Sequence, residues 1–182
     1  MKTMILILRY HHNRERTGIM KQFKSILVPV KLDSSAERVL RTAGELAEMM
    51  DAKVSVMHVV LPFPAVPLTS GIMMPQRSGQ VNMPAYQKAV EERVQSTMGE
   101  VVDRTLPEER IAGRIVRTGT VGSTIIDECD SGDYDLVVID SGEHDDILEK
   151  IFGSVADKVV KNAGVPVLVL RERDQEDSEE EE

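Results

Sequence analysis

Two neighbouring stretches decide the fold: Asp135-Leu-Val-Val-Ile-Asp-Ser-Gly142 and Ile151-Phe-Gly-Ser-Val155. Residues 136–139 form an apolar run without alternation, which predicts a short strand that is covered on both faces. The polar residues that end the run predict a loop, and Ser154 is a natural N-cap for a following helix. The apolar face of that helix carries Val155, Val159 and Val160. The segment therefore predicts a buried strand, a loop and a helix.

This strand–loop–helix arrangement is a candidate site for an anionic ligand. The first N–H groups of a helix have no partner within the helix, and the helix dipole places partial positive charge beside them. A loop that enters a helix at the carboxyl end of a parallel strand therefore favours phosphate. The sequence places such a helix start at Gly153, Ser154 and Val155.

Composition limits the classes of function. The chain has 182 residues, 41% of them hydrophobic, which is enough for one well-filled domain. Its net charge of -9 argues against a general nucleic-acid binder, which needs a basic face to replace phosphate counterions. The single cysteine, Cys129, rules out an intrachain disulfide and fits a reducing cytoplasm. Because no apolar run approaches about 20 residues, we expect no membrane span.

The rest of the chain alternates strand and helix patterns. Strand-type runs occupy residues 23–30, 54–60 and 110–117, and a last one is Val165-Pro-Val-Leu-Val-Leu170. Helical spacing of apolar residues separates them. This alternation predicts a single three-layer α/β/α domain with a five-stranded parallel sheet. The run at 110–117 alternates polar and apolar residues, so we expect it near a sheet edge.

Both ends lie outside this pattern. Residues 1–22 have no periodicity and are predicted to be a disordered extension, with a membrane-touching or docking arm as the alternative interpretation. Its apolar run Met4-Ile-Leu-Ile-Leu8 is shorter than a secretory signal requires. Residues 172–182 are acidic and are predicted to be a disordered tail. The domain is thus expected at 23–171, with a long connection at 61–82 that is either a lid or a mobile insertion.

Four passages give this domain a resemblance to the universal stress protein family. Phe152-Gly-Ser-Val-Ala-Asp-Lys-Val-Val160 resembles the family pattern LGSVAERVV, and Gly164-Val-Pro-Val-Leu-Val-Leu170 resembles its CPVLVV ending. Ile26-Leu-Val-Pro-Val30 and Asp135-Leu-Val-Val-Ile139 are similar to two of its strands. The resemblance implies a UspA-like, Rossmann-like fold of the adenine nucleotide alpha hydrolase type with strand order 3-2-1-4-5. It also implies a homodimer through Val165–Leu170.

The nucleotide motif of the family is incomplete in this sequence. ATP-binding members carry G-x2-G-x9-G-[ST], and counting back from Gly153 places the other glycines at Asp140 and Glu143. Where members usually carry an aspartate that meets the ribose, this chain has Lys31. The two acidic residues are expected to repel a triphosphate. The resemblance implies cofactor-binding roles for Val30, Ile139, Gly142, Gly153, Ser154 and Val155.

The expected function is that of a cytoplasmic, non-enzymatic stress-response regulator that acts as a dimer and binds ATP or AMP weakly or not at all. The alternative is a member that holds an adenine nucleotide with slow or no hydrolysis. We expect neither a catalytic residue nor a metal site. His58 is interpreted as a hydrogen-bonded or rim histidine, and Cys129 as a small buried hydrophobic residue, because acidic neighbours would raise its pKa.

Overall fold

A computed structural model describes residues 4–7, 23–62, 83–142 and 153–171. The strands are β1 Met4–Ile7, β2 Ser25–Pro29, β3 Lys53–Val60, β4 Ile111–Thr118, β5 Leu136–Asp140 and β6 Val167–Leu170. The helices are α1 Ala36–Met50, α2 Met83–Thr105, α3 Val121–Ser131 and α4 Ser154–Asn162. The expectations for residues 63–82 and for the acidic tail lie outside the described residues.

Five strands form the predicted parallel sheet. Their order is β4-β3-β2-β5-β6, which is 3-2-1-4-5 when the five predicted strands are numbered along the chain. This order confirms the predicted fold class and places the alternating strand β4 at an edge. The winding reverses between β2 and β5, and ligands of such sheets bind at the carboxyl ends of strands at this point.

Helices cover both faces of the sheet, as the unbroken apolar strands predict. Helices α1 and α2 pack on one face and α3 and α4 on the other, so each face has its own hydrophobic core. Successive strand residues serve opposite cores because side chains alternate across a strand. In β5, for example, Val138 belongs to the first core and Val137 to the second.

The N-terminal strand β1 was not predicted. Residues 4–7 pair antiparallel with β6 and make a sixth strand at the sheet edge, so the expectation of a disordered extension is wrong for these four residues. The rest of residues 1–22 lie outside the described residues. The run is long enough for an edge strand, and β6 supplies N–H and C=O groups that need partners.

Candidate functional site

A cavity of about 380 Å³ opens at the carboxyl ends of β2, β3 and β5. The first turns of α3 and α4 close it from one face of the sheet. All six residues that the sequence analysis assigned to cofactor binding line this cavity, although their contact with a ligand stays a prediction. The full lining is Pro29, Val30, Lys31, Met57, His58, Val59, Val121, Ile125, Ile139, Asp140, Ser141, Gly142, Gly153, Ser154, Val155 and Ala156.

The buried Ser141 fixes helix α4 beside the end of β5. Its N–H donates to the carbonyl oxygen of Leu170 at 2.8 Å, and its own carbonyl accepts the N–H of Gly153 at 2.8 Å. One residue thereby connects the ends of β5 and β6 to the start of α4. The position of the helix N-terminus is therefore set by the sheet.

The start of α4 offers N–H groups to the cavity. Gly153, not Ser154 as predicted, is the N-cap, and no side chain of the described residues caps the helix. The carbonyl of Gly153 accepts the N–H of Asp157 at 2.9 Å and begins the helical pattern. Ser154 and Val155 occupy the first turn, where N–H groups have no helical acceptor. This end of the cavity can accept one anionic group.

Lys31 and Gly142 both line the cavity and lie close together. Gly142 has φ +81°, a left-handed backbone that glycine adopts without steric cost. A β-carbon at this position would lie 3.9 Å from the Nζ atom of Lys31. The Lys31 ammonium therefore adds positive charge near the turn that follows β5.

The negative charge of Asp140 is offset by a partner that the sequence analysis did not predict. Arg38 on α1 reaches Asp140, with 2.6 Å between Nη2 and Oδ1, and both side chains are largely shielded from solvent. The guanidinium offsets the carboxylate, so the expected repulsion of a phosphate by Asp140 is largely cancelled. Glu143 and the acidic residues that follow it lie outside the described residues.

The opposite wall is built by β2 and β3. The N–H of Val30 donates to the carbonyl of Met57 at 2.9 Å, and Nδ1 of His58 lies 2.8 Å from the carbonyl oxygen of Val30. Because a carbonyl can only accept, Nδ1 carries the proton. This contact confirms the interpretation of His58 as a hydrogen-bonded histidine. His58 also lines the cavity.

Asp33 is not in the cavity lining. Its Oδ1 accepts the hydroxyl of Ser35 at 2.6 Å and the N–H of Ser35 at 2.9 Å, in the turn before α1. The Ser35 hydroxyl is the main cause that lowers the pKa of Asp33, and Lys31 contributes through its charge. In the structure, this carboxylate organises the turn between β2 and α1.

Sequence reasoning did not assign the walls contributed by β3 and α3. Met57 and Val59 come from β3, and Val121 and Ile125 come from one face of α3. The spacing of Val121 and Ile125 is that of one helix face and indicated burial. The spacing did not indicate that this helix face borders a cavity, because the cavity is formed by the packing of α3 against the sheet.

Comparison with known proteins shows where the chain belongs. The sequence model of the universal stress protein family matches residues 22–171. The chain belongs to the universal stress protein family. It is 27% identical over 153 residues to the universal stress protein A homolog of Pasteurella multocida, covering 84% of this chain and 99% of that protein. With universal stress protein A of Escherichia coli K12 the identity is 27% over 155 residues, covering 85% and 99%.

Solved structures share the fold at lower identity. UspA from Lactobacillus plantarum superimposes with a TM-score of 0.57 at 20% identity, covering 84% of this chain and all of that one. A universal stress protein solved in complex with cAMP gives a TM-score of 0.52 at 18% identity, with coverage of 83% and 98%. These likenesses support the Rossmann-like α/β architecture of the family.

The described residues were also searched for a membrane-spanning helix and for a metal site. None of their helices is long and apolar enough to cross a membrane. No group of three or more histidine, cysteine or carboxylate side chains among them is arranged to hold a metal ion.

Proposed function

We propose that this universal stress protein is a regulator without enzymatic activity, whose cavity binds adenine nucleotides weakly. The observation that carries the proposal is the small number of polar groups that the cavity offers to a phosphate. It presents one uncapped helix start and Lys31 to an anion, while its walls are mainly apolar. The volume of about 380 Å³ is within the range of small-molecule sites.

A nucleotide would use two parts of this cavity. The first turn of α4 can hold one phosphate group, with Lys31 close to the mouth. The apolar walls from β3 and α3, including Met57 and Ile125, offer a surface for a base. These features support adenine nucleotide binding as the class of interaction.

Weak affinity follows from two features of the same residues. Lys31 has no acceptor atom for a ribose hydroxyl, whereas a carboxylate at its position would accept two hydrogen bonds. Asp140 carries a side chain where the ATP-binding pattern has glycine, which limits the approach of the backbone to phosphate. We expect a dissociation constant no tighter than roughly 0.1 mM for ATP, about -5 kcal/mol.

The titratable groups near the cavity support a binding role without catalysis. His58 is hydrogen-bonded to a backbone carbonyl, and Asp140 is paired with Arg38. Burial, with the charges of Asp130 and Glu128, raises the pKa of the Cys129 thiol to about 12, so little reactive thiolate forms. We also propose a reducing compartment such as the cytoplasm, which keeps this thiol free.

The homodimer through Val165–Leu170 stays a prediction. It was expected to form by pairing of the exposed edge at Val165–Leu170, but β1 of the same chain occupies that edge of β6. The proposal for the cavity therefore stands on a single chain.

Tight ATP binding is the second candidate function, and two observations favour it. Arg38 offsets the charge of Asp140, and Gly142 has a left-handed backbone, with φ +81°, in the turn after β5. An altered loop could then hold the phosphates without the regular glycine spacing.

Titration calorimetry with ATP, AMP and cAMP separates the two candidates. We expect the wild type to bind at roughly 0.1 mM or weaker, and Lys31→Asp/Asp140→Gly/Glu143→Gly to bind ATP more tightly by about 1–3 kcal/mol. Lys161→Ala, a surface change on α4, is the matched control and should leave affinity unchanged. Micromolar binding of ATP by the wild type would favour the second candidate.

A further inference from the structure

The sheet fixes where Lys31 stands in the cavity. Strands β3, β2 and β5 line the cavity and are neighbours in that order, and α4 begins beside Ser141 at the end of β5. Lys31 comes two residues after β2, and the intervening Val30 is hydrogen-bonded to Met57 and His58 of β3. Lys31 therefore stands between the apolar wall on β3 and the helix start beside β5.

Lys31 also supplies the positive charge of the cavity. Among the described residues of the lining, it is the single lysine or arginine, and Asp140 is the single carboxylate. Asp140 is paired with Arg38 at 2.6 Å. Asp33 interacts with Lys31 through its charge, but its Oδ1 accepts the hydroxyl and the N–H of Ser35. Both carboxylates thus have partners other than Lys31.

The ammonium of Lys31 lies beside the turn that follows β5. Its Nζ is 3.9 Å from the position of a β-carbon added to Gly142. Gly142 follows Ser141, whose carbonyl accepts the N–H of Gly153 at the start of α4. The cation is thus close to the helix start but separate from it. A nucleotide with its base on the β3 wall and its 5′-phosphate at the helix start would place its sugar beside Lys31, because the sugar joins the two.

We propose that the cavity selects adenosine nucleotides that carry a second phosphate on the 2′ or 3′ oxygen of the ribose, and that Lys31 binds this phosphate. The base and the 5′-phosphate are taken from the proposed function, on which this inference rests. An ammonium donates hydrogen bonds to phosphate but accepts none from a hydroxyl. In doubly wound sheets that bind dinucleotides, a carboxylate binds the ribose hydroxyl, whereas a nearby basic side chain accommodates a phosphate at that position.

The weak affinity expected for ATP has the same cause. ATP carries its three phosphates in one row and presents free ribose hydroxyls to Lys31, while the helix start accepts one anionic group. A nucleotide with one phosphate at each of two positions matches two separate positive groups. The second phosphate replaces a contact that Lys31 cannot make with one that it can.

Titration calorimetry on the full chain compares four ligands: AMP, ADP, adenosine 3′,5′-bisphosphate and adenosine 2′,5′-bisphosphate. ADP and the bisphosphates have the same number of phosphates, so this comparison separates the position of the second phosphate from the total charge. Lys31→Met removes the ammonium and keeps an unbranched side chain. Lys161→Met, a surface change on α4, is the matched control. Lys31 is an exposed residue, so we expect both variants to fold, and thermal unfolding checks this.

The wild type and Lys161→Met should bind at least one bisphosphate about tenfold or more tightly than ADP. In Lys31→Met this preference should fall to about twofold or less, while the affinity for AMP changes by less than about threefold.

Three results would overturn the inference and leave the proposed function intact. ADP could bind as tightly as both bisphosphates, or the preference could survive in Lys31→Met. The third is a loss of AMP affinity in Lys31→Met as large as the loss for the bisphosphates, which would mean that Lys31 binds the 5′-phosphate. If none of the four ligands bound with a dissociation constant below about 10 mM, the inference and the proposed function would both be wrong.

Discussion

The cavity and the β6 edge are the two parts of the molecule that the sequence predicted to be functional surfaces. They differ in whether the chain itself covers them. The cavity is open, and it gathers all six residues assigned to it. The edge is covered by β1, which pairs with every residue of β6. The cavity is built from consecutive strand–helix units, whereas the edge depends on a segment more than a hundred residues away in sequence. Local pattern and the family resemblance together therefore predict the first region better than the second.

The same substitution in the two regions should have very different costs. Val169→Lys places an ammonium on a fully buried side chain of β6 and should lower the free energy of unfolding by about 3 kcal/mol or more. Val155→Lys changes a half-buried residue that faces the cavity and should cost less than about 1 kcal/mol. Thermal unfolding should show a drop of roughly 6–12 °C for the first variant.

If Val169→Lys lowered the free energy of unfolding by less than about 1 kcal/mol, β6 would not be part of the core. The two regions would then tolerate the same substitution equally well. The large expected cost also changes how the edge must be probed. Because Val169 is a core residue, any effect of its substitution on association would be mixed with the loss of stability. The coverage of the β6 edge is better tested through β1.

Sequence reasoning was most successful where a signal is contained within one element. The unbroken apolar run at 136–139 predicted a doubly covered strand, and the alternating run at β4 predicted an edge. The helix start at Gly153-Ser154-Val155 predicted one end of the cavity. In each case the structural feature depends on residues that are neighbours in sequence. The local pattern of residue types is therefore enough to predict it.

Sequence reasoning failed where partners come from distant elements. The run Met4-Ile-Leu-Ile-Leu8 is long enough to form a strand. Its sequence does not indicate that the strand pairs with β6. The expectation that Asp140 repels phosphate missed Arg38, which lies about one hundred residues earlier and reaches it through the packing of α1. Pairing and charge compensation of this kind are set by tertiary structure.

Two glycine substitutions compare the cavity mouth with an ordinary helix. Gly142→Ala forces a β-carbon into a backbone with φ +81° and should lower stability by about 1–2 kcal/mol. Gly99→Ala lies in α2, where nothing would contact the new β-carbon within 4 Å, and should raise stability by about 0.5–1 kcal/mol. Urea unfolding of both variants gives the signs, and equal signs would contradict the assigned role of Gly142.

The smallest expected effect is the coupling between the regions. Ile5→Pro/Leu6→Pro should weaken the pairing of β1 with β6 but leave nucleotide affinity within about twofold of the wild type, since β1 contributes no residue to the cavity lining. Calorimetry with AMP at low protein concentration measures this. A change of tenfold or more would show that the β6 edge and the cavity are linked, with Ser141 and its bond to Leu170 as the connection to examine.

Hydrogen exchange of individual backbone amides, measured at about 1 µM by NMR or mass spectrometry, tests the central contrast most directly. In the full chain, the N–H groups of Val167–Leu170 should exchange slowly on both sides of β6, while those of Ser154 and Val155 exchange quickly. In Ile5→Pro/Leu6→Pro, the amides that faced β1 should exchange at least about tenfold faster, with the start of α4 unchanged. Equal exchange of the β6 amides in both proteins would contradict the account, because it would mean that β1 does not cover the edge.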